Sequence, residues 1–313
     1  MKIVFFGTPD YVVPIAETIN KTFREGRQSP VVAVVTKAPY ADKDGKQIFS
    51  EVDHWAHKRN IPKFYSPQEF ADSSIEADLG IVASYSQIIP QLVIENCKLG
   101  ILNLHPSLLP KYRGASPVPA TLAMNETLTG VSIIRLDKEL DHGDIMTSFT
   151  EEVLPYDTNE SLRARLFNRG AEALVEMIPA YITNKIKPKP QDHAEAVFTR
   201  ELVREDGFLP IEILLNAIKG QVPTKPFTVP FIKTENIIVP DATFIERYLR
   251  ALTPWPGIYT QIDGKRLKIL KVHTDHDQLV IDTVQLEGKN EVSFKQFLEG
   301  YPQTPFASVT NHE

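Results

Sequence analysis

Lys2-Ile-Val-Phe-Phe6 is a run of apolar, β-branched and aromatic residues that breaks at Gly7-Thr8-Pro9-Asp10. A strand with one wet face alternates apolar and polar residues. This run does not alternate, so it reads as a strand covered on both sides that enters a turn. Asp10–Thr22 then carries apolar positions at helical spacing, and Val31–Val35, Ala77–Ala83 and Gly100–Leu104 read as further strands. Helix-like stretches such as Glu51–Lys58 lie between them.

Strand and helix alternating from the first residues predict an α/β fold. The expected core is a Rossmann-like, mostly parallel sheet with helices on both faces. Ligands in such folds sit at the carboxyl ends of the strands. Thr129–Leu136 is one more strand candidate, and Glu160–Ile182 is a long helical pattern that closes this region. Lys185-Ile-Lys-Pro-Lys-Pro190 reads as a stiff polar connector. Beyond it, Ile258–Gln261, Arg266–Val272 and Gln278–Val284 are short alternating runs, and Asp263-Gly264 between the first two is a hairpin signal. The expected organisation is a catalytic domain over residues 1–184, a linker over 185–206, and a small β-rich, OB-like open barrel over 207–313.

Bulk properties narrow the classes. At 313 residues the chain is long enough for two domains. No apolar run reaches membrane-spanning length; the interrupted stretch Ile211–Ile218 is far too short. Met1-Lys2 leads straight into the first strand without a long apolar segment and cleavage site, so no signal peptide is expected. Cys97 is the only cysteine, which excludes an intrachain disulfide and fits a reducing cytoplasm. The formal net charge is −6. Bulk charge therefore cannot hold a nucleic acid, and any such contact must come from local basic patches.

The first turn, Gly7-Thr8-Pro9, is not a dinucleotide fingerprint, because Pro9 and Val12 stand where the later glycines belong. A dehydrogenase reading fails on that ground. Asn103-Leu104-His105 is more informative. Residues two apart on a strand share a face, so Asn103 and His105 project together while Leu104 faces the core. Pro106 ends the ladder because it has no N–H. A polar pair at a strand's carboxyl end is where an open α/β fold builds its site. By itself the pair reads first as a turn-satisfying asparagine and a solvated loop histidine, since short polar pairs are common at strand ends. A long Pro- and Gly-containing loop follows, Ser107–Pro117, and then an acidic loop, Asp137–Asp144, expected to return to the same end of the sheet. Asp141 alone reads as a turn or capping residue. His54 and His57 lack matched carboxylates, read as surface residues, and no metal site is expected.

Taken in order, His105-Pro-Ser-Leu-Leu-Pro, Arg113-Gly, Pro117, Thr129-Gly-Val and Leu140-Asp-x-Gly-Asp-Ile145 resemble the signature of the 10-formyltetrahydrofolate transformylases. The resemblance puts that family's catalytic asparagine, histidine and aspartate on Asn103, His105 and Asp141. It implies 10-formyltetrahydrofolate as co-substrate, no metal, and a donor site walled by Ser86, Gln87, Ile88 and Ile89 on one side and by Ser107, Leu108, Leu109 and Pro110 on the other. Phe5–Asp10, Phe198–Arg200, Glu205–Gly207 and Arg250–Ile269 are similar to the members that formylate initiator methionyl-tRNA, a monomeric, cytoplasmic branch with a second domain that helps hold the RNA. The competing reading is an N-formyltransferase acting on a sugar nucleotide with the same trio. A non-catalytic folate- or RNA-binding descendant is opposed by the intact trio.

The resemblance makes Lys43, Lys46, Lys111, Arg113, Lys265, Arg266 and Lys268, with Lys271, candidates for phosphate contact. Each alone reads as a solvated charge. Two stretches depart from the pattern. Lys37–Phe49 corresponds to a basic, flexible loop of the family, but Asp42 and Asp44 offset its lysines. Phe208–Phe244 looks inserted or altered, with no counterpart for its segment Pro223–Pro230.

Overall fold

The structure, a computed structural model, describes residues 1–223, 225–234 and 236–310. Thr224 and Glu235, inside the atypical stretch Phe208–Phe244, lie outside the described residues. The chain forms two compact units that interleave along the sequence. One comprises Met1–Ala115, Leu128–Glu152 and Arg163–Ala196, and the other Ser116–Thr127, Val153–Leu162 and Val197–Glu313.

The first unit is built on a seven-stranded sheet in the order Ile145–Glu152, Leu128–Arg135, Ile101–His105, Leu79–Ala83, Ile3–Gly7, Val31–Val35, Lys63–Phe64. The strands from Ile101–His105 to Lys63–Phe64 run parallel, and Leu128–Arg135 and Ile145–Glu152 are antiparallel to their neighbours. Ile3–Gly7 and Leu79–Ala83 are buried at every residue, as a strand covered on both faces must be. Val4, Phe6, Val35, Phe70, Val93 and Ile101 form a continuous part of this core. Glu51–His57 is a helix whose cap is Ser50, its Oγ accepting from Asp53 N at 3.1 Å. His54 and His57 on it are exposed.

Two features of this unit escape a linear reading. Ile145–Glu152 is a strand although its residues Thr147-Ser148-Phe149-Thr150-Glu151-Glu152 carry little apolar pattern; it forms the edge of the sheet. The connection Asp137–Asp144 also does not start where expected. Because Leu128–Arg135 runs antiparallel to Ile101–His105, Arg135 pairs with Leu102 and Leu136 N donates to Ile101 O at 2.8 Å. The loop thus departs from the amino end of the site strand and reaches Asn103 across the sheet rather than from the carboxyl edge.

Lys37–Phe49 is an ordered hairpin. Tyr40–Ala41 pairs with Gln47–Ile48, and Asp42 Oδ1 accepts from the amides of Asp44 and Lys46, each at 2.9 Å. Asp42 is there as a turn former.

In the second unit, Ile258–Ile262, Lys265–Asp275, Gln278–Leu286 and Glu291–Ser293 form an open antiparallel sheet in sequence order. Helices Pro117–Ala123 and Ala242–Leu252 pack together beside it. Arg200 clasps Asp206 with two N–H···O bonds of 2.8 and 2.6 Å, and Tyr248 Oη donates to Asp206 O at 2.7 Å. The atypical stretch contains the helix Ile211–Ile218 and a loop stapled by buried Asn236, whose Oδ1 accepts from Val229 N at 2.7 Å. Phe227 and Phe231 from that loop lie against Tyr248. Among the described residues, no helix is long and apolar enough to cross a membrane.

Candidate active site

The site strand Ile101–His105 has three consecutive jobs at its end. Leu104 points to the core, where its side chain fills the space that a Cβ on Gly170 would need. Asn103 and His105 point to the other face. There Asn103 Nδ2 donates to Asp141 Oδ1 at 3.0 Å, and Gly114 N donates to Asp141 Oδ2 at 2.7 Å. His105 Nδ1 stands 3.6 Å from Asp141 Oδ2. The three residues expected to act together are therefore assembled around one carboxylate.

His105 is not a solvated loop histidine, since it is only 5% exposed. Its Nε2 donates to the carbonyl of Tyr112 at 2.9 Å. The 3.6 Å gap at Nδ1 is longer than a hydrogen bond. Nδ1 is thus the nitrogen left for an incoming proton, with a carboxylate behind it. Asp141, 7% exposed, has φ of +48°, a left-handed backbone that a non-glycine residue adopts at a cost of about 1 kcal/mol or more. Gly143 two residues on has no room for a Cβ, which would overlap the Arg135 carbonyl.

The expected donor walls are partly open. Leu79–Ala83 and Ile101–His105 are parallel neighbours, so the loops after them leave the same edge of the sheet. In the first of these loops Ser86 and Gln87 are exposed, Ile89 is half-buried, and Ile88 is 91% exposed, unusual for so large an apolar side chain. Gln87 Nε2 donates to Tyr65 O at 3.3 Å. In the second loop Leu108 and Pro110 are half-buried, but Ser107 and Leu109 are closed off. Ser107 Oγ donates to Lys111 O at 2.6 Å, and Ser132 Oγ donates to Ser107 O while accepting from Leu109 N. Those two residues shape the loop from beneath, so only Leu108 and Pro110 of this wall offer side chains to a ligand.

Arg113 differs most from its expectation as a phosphate contact. It is 3% exposed, and its Nε and Nη2 donate to Gln191 Oε1 at 3.1 and 2.6 Å. Its Nη2 also meets His193 Nδ1 at 2.8 Å. Burial lowers the guanidinium's pKa, opposed by the nearby carboxylates of Asp141, Asp137 and Glu139. Enclosed in this way, Arg113 presents no charge to an outside phosphate. Gln191, His193 and the Tyr112 carbonyl carry no sequence signal of a site. Gln191 lies one residue past the connector, where Lys189 and Ile145 exchange two 2.9 Å backbone bonds.

The remaining basic candidates are on the surface. Lys43 and Lys46 are exposed in the hairpin, and Lys111 is exposed in the loop after Pro110. Lys265 and Lys268 are exposed on the long strand of the second unit. Arg266 is compensated, its Nη2 donating to Glu287 Oε1 at 3.1 Å. A register irregularity after Ile269 also breaks the regular spacing between Lys268 and Lys271.

Comparison with known proteins gives a consistent set of matches. The family model described as formyl transferase matches residues 1–178, and that of the formyl transferase C-terminal domain matches residues 240–278. The methionyl-tRNA formyltransferase of Koribacter versatilis is 34% identical, covering 96% of this chain and 96% of its own. That of Chloroflexus aurantiacus is 33% identical, covering 87% of this chain and 79% of its own. Among solved structures, a methionyl-tRNA formyltransferase from Clostridium thermocellum superposes with a TM-score of 0.54 at 19% identity, covering 91% of this chain and 98% of its own. An N-formyltransferase from Helicobacter canadensis, in complex with folinic acid and dTDP-3-aminofucose, gives 0.58 at 18% identity, covering 90% and 95%. At such identities the structural likeness is one of fold.

Proposed function

The chain belongs to the formyl transferase family, and from that premise we propose that it moves a formyl group from 10-formyltetrahydrofolate to the amino group of initiator methionyl-tRNA. The observation that carries this choice of acceptor is the 34% identity to a methionyl-tRNA formyltransferase over 96% of both chains. Initiator methionyl-tRNA belongs to the translation machinery, so the reading puts the enzyme in the cytoplasm.

The donor fits what the site offers. An exposed Ile88 and a half-buried Leu108 on loops from one sheet edge suit a flat heteroaromatic ring, with Ser86, Gln87, Ile89 and Pro110 around it. When bound, the folate supplies an activated formyl group. The residues of the trio do the rest. An amide NH2 has two N–H groups, and Asn103 spends one on Asp141, so the other is free to hold the formyl oxygen as negative charge builds on it. His105 Nδ1 takes the proton that the attacking amine must lose and passes it to the departing folate nitrogen, so that one C–N bond forms as the other breaks. Asp141 keeps both partners aimed and offsets the positive charge the ring then carries. No metal enters this scheme.

Acceptor RNA has to be held locally, because the chain is acidic overall. Lys111 beside the site, Lys43 and Lys46 on the hairpin, and Lys265 and Lys268 on the second unit are the exposed cations we assign to it. The test is formyl transfer from 10-formyltetrahydrofolate to charged and uncharged initiator tRNA and to amino-sugar nucleotides. Formylation of the charged tRNA alone is expected. Transfer to an amino-sugar nucleotide in its place would overturn the choice of acceptor.

A further inference from the structure

We propose that Gln191 and Arg113 form a positioning clamp that holds the backbone of Asp141 in its left-handed conformation and so sets the aim of the carboxylate; the proposal rests on the formyl-transfer reading of the trio. Gln191 Nε2 donates to Asp141 O at 2.9 Å and to Gly143 O at 2.8 Å. Its Oε1 accepts two N–H groups from Arg113, at 3.1 and 2.6 Å. Both donors and both lone pairs of this buried amide are therefore used. A side chain satisfied on all sides in a dry place has one orientation, so the strut it forms is stiff.

The strut acts where the backbone needs it. Asp141 at φ +48° persists only if its surroundings over-determine it. Three contacts do so: Gly114 N on the carboxylate, Asn103 on the other carboxylate oxygen, and Gln191 on the peptide carbonyls at Asp141 and two residues on. The first two involve the atoms that take part in the chemistry. Gln191 touches none of these, so its effect is exerted through Asp141. Arg113 anchors it from behind, and His193 Nδ1 receives a further N–H from Arg113, with the His193 ring stacked at 3.9 Å on His142. The chain reaches this point because Lys189 is pinned by backbone bonds to Ile145.

The test is turnover of Gln191→Leu and Gln191→Glu, alone and combined with Asp141→Asn, with thermal melting to confirm folding. A misplacement of about 1 Å in a reacting group costs about 10²-fold. We expect Gln191→Leu to lose about that in kcat while KM for donor and acceptor stays put. Gln191→Glu keeps the acceptor for Arg113 and removes the donors. It should lose as much at pH 8 and recover relative to wild type as pH falls, because a protonated carboxyl donates one bond again. In the Asp141→Asn background, Gln191→Leu should cost almost nothing more, since residues that act as a unit are non-additive. A folded Gln191→Leu with normal kcat, or an undiminished loss in the Asp141→Asn background, overturns the clamp. So does failure of both Gln191 variants to fold, which would make the residue one of stability alone. If wild type formylates another amine but not methionyl-tRNA, the acceptor reading falls and the same cycle is run on that amine.

Discussion

Asn103 donates to Asp141 across 3.0 Å, although 38 positions separate them in the chain. The bond fixes the amide's orientation before any substrate arrives, with one N–H committed and the other directed by geometry. Losing a single well-placed donor to a developing oxyanion costs about 2.7–4 kcal/mol, or about 10²–10³ in kcat. Asn103→Ala is expected to show that loss with the affinity for the folate donor unchanged, measured by steady-state kinetics and donor titration. An unchanged kcat with weakened donor binding would reduce Asn103 to a ligand-holding role.

His105→Ala should remove about 10²–10⁴ in turnover, because it deletes the group that receives the amine's proton. The burial of His105 adds a second effect. The ring's bond to the Tyr112 carbonyl is lost with it, and a hydrogen bond of this kind contributes about 0.5–1.5 kcal/mol. Chemical denaturation should therefore show reduced stability while the cooperative transition is retained. Near-normal turnover in the folded variant would remove His105 from the chemistry.

For RNA binding, Lys265→Ala with Lys268→Ala should flatten the dependence of affinity on salt by about 0.7–0.9 per lost phosphate contact. Arg266→Ala should do less, because Glu287 already holds that guanidinium at 3.1 Å. Arg113 is left out of this set because it is buried. Filter binding of methionyl-tRNA across a salt series is the measurement. A full-strength slope in the double variant would locate the RNA contacts elsewhere, and donor binding should be unaffected in either case.

Burial pushes the Cys97 thiol from about 9 up to about 11. The unfolded chain then loses this proton near its ordinary value while the folded chain keeps it. Between about pH 9 and 11 the folded state binds more protons, so stability falls as pH rises through that window. Thermal midpoints of Cys97→Ala should fall less steeply over the same window than those of wild type, and alkylation of Cys97 should be slow at pH 7.5 until the protein unfolds. Rapid labelling of the native protein would contradict the buried position.

How much of this was legible depends on which interactions each feature uses. The unbroken apolar runs at Ile3–Phe6 and Val31–Val35 announced strands covered on both faces, because burial on two sides leaves no polar position to hide the pattern. The shared face of Asn103 and His105 was legible for a different reason, since alternation of side chains along a strand is a property of the backbone alone. Ile145–Glu152 was not, because an edge strand needs only one apolar face and its residues read as polar.

The amino-acid sequence by itself determined the alternating α/β core, the paired side chains at the end of one strand, and the ordered motifs that mark the family. The same motifs pointed to Asp141, but only the tertiary structure decided how its carboxylate comes to lie against the paired side chains and what it bonds to. Asp141 reaches Asn103 because an antiparallel strand sends its loop back across the sheet, and Gln191 reaches Asp141 because the connector is stitched to the sheet edge. Arg113 turned from a candidate surface cation into a buried anchor through the same contacts. Periodicity records which residues face a core, because burial repeats with the backbone. It carries no record of which distant segments exchange hydrogen bonds, since a polar residue in a loop reads the same whether water or a buried amide satisfies it.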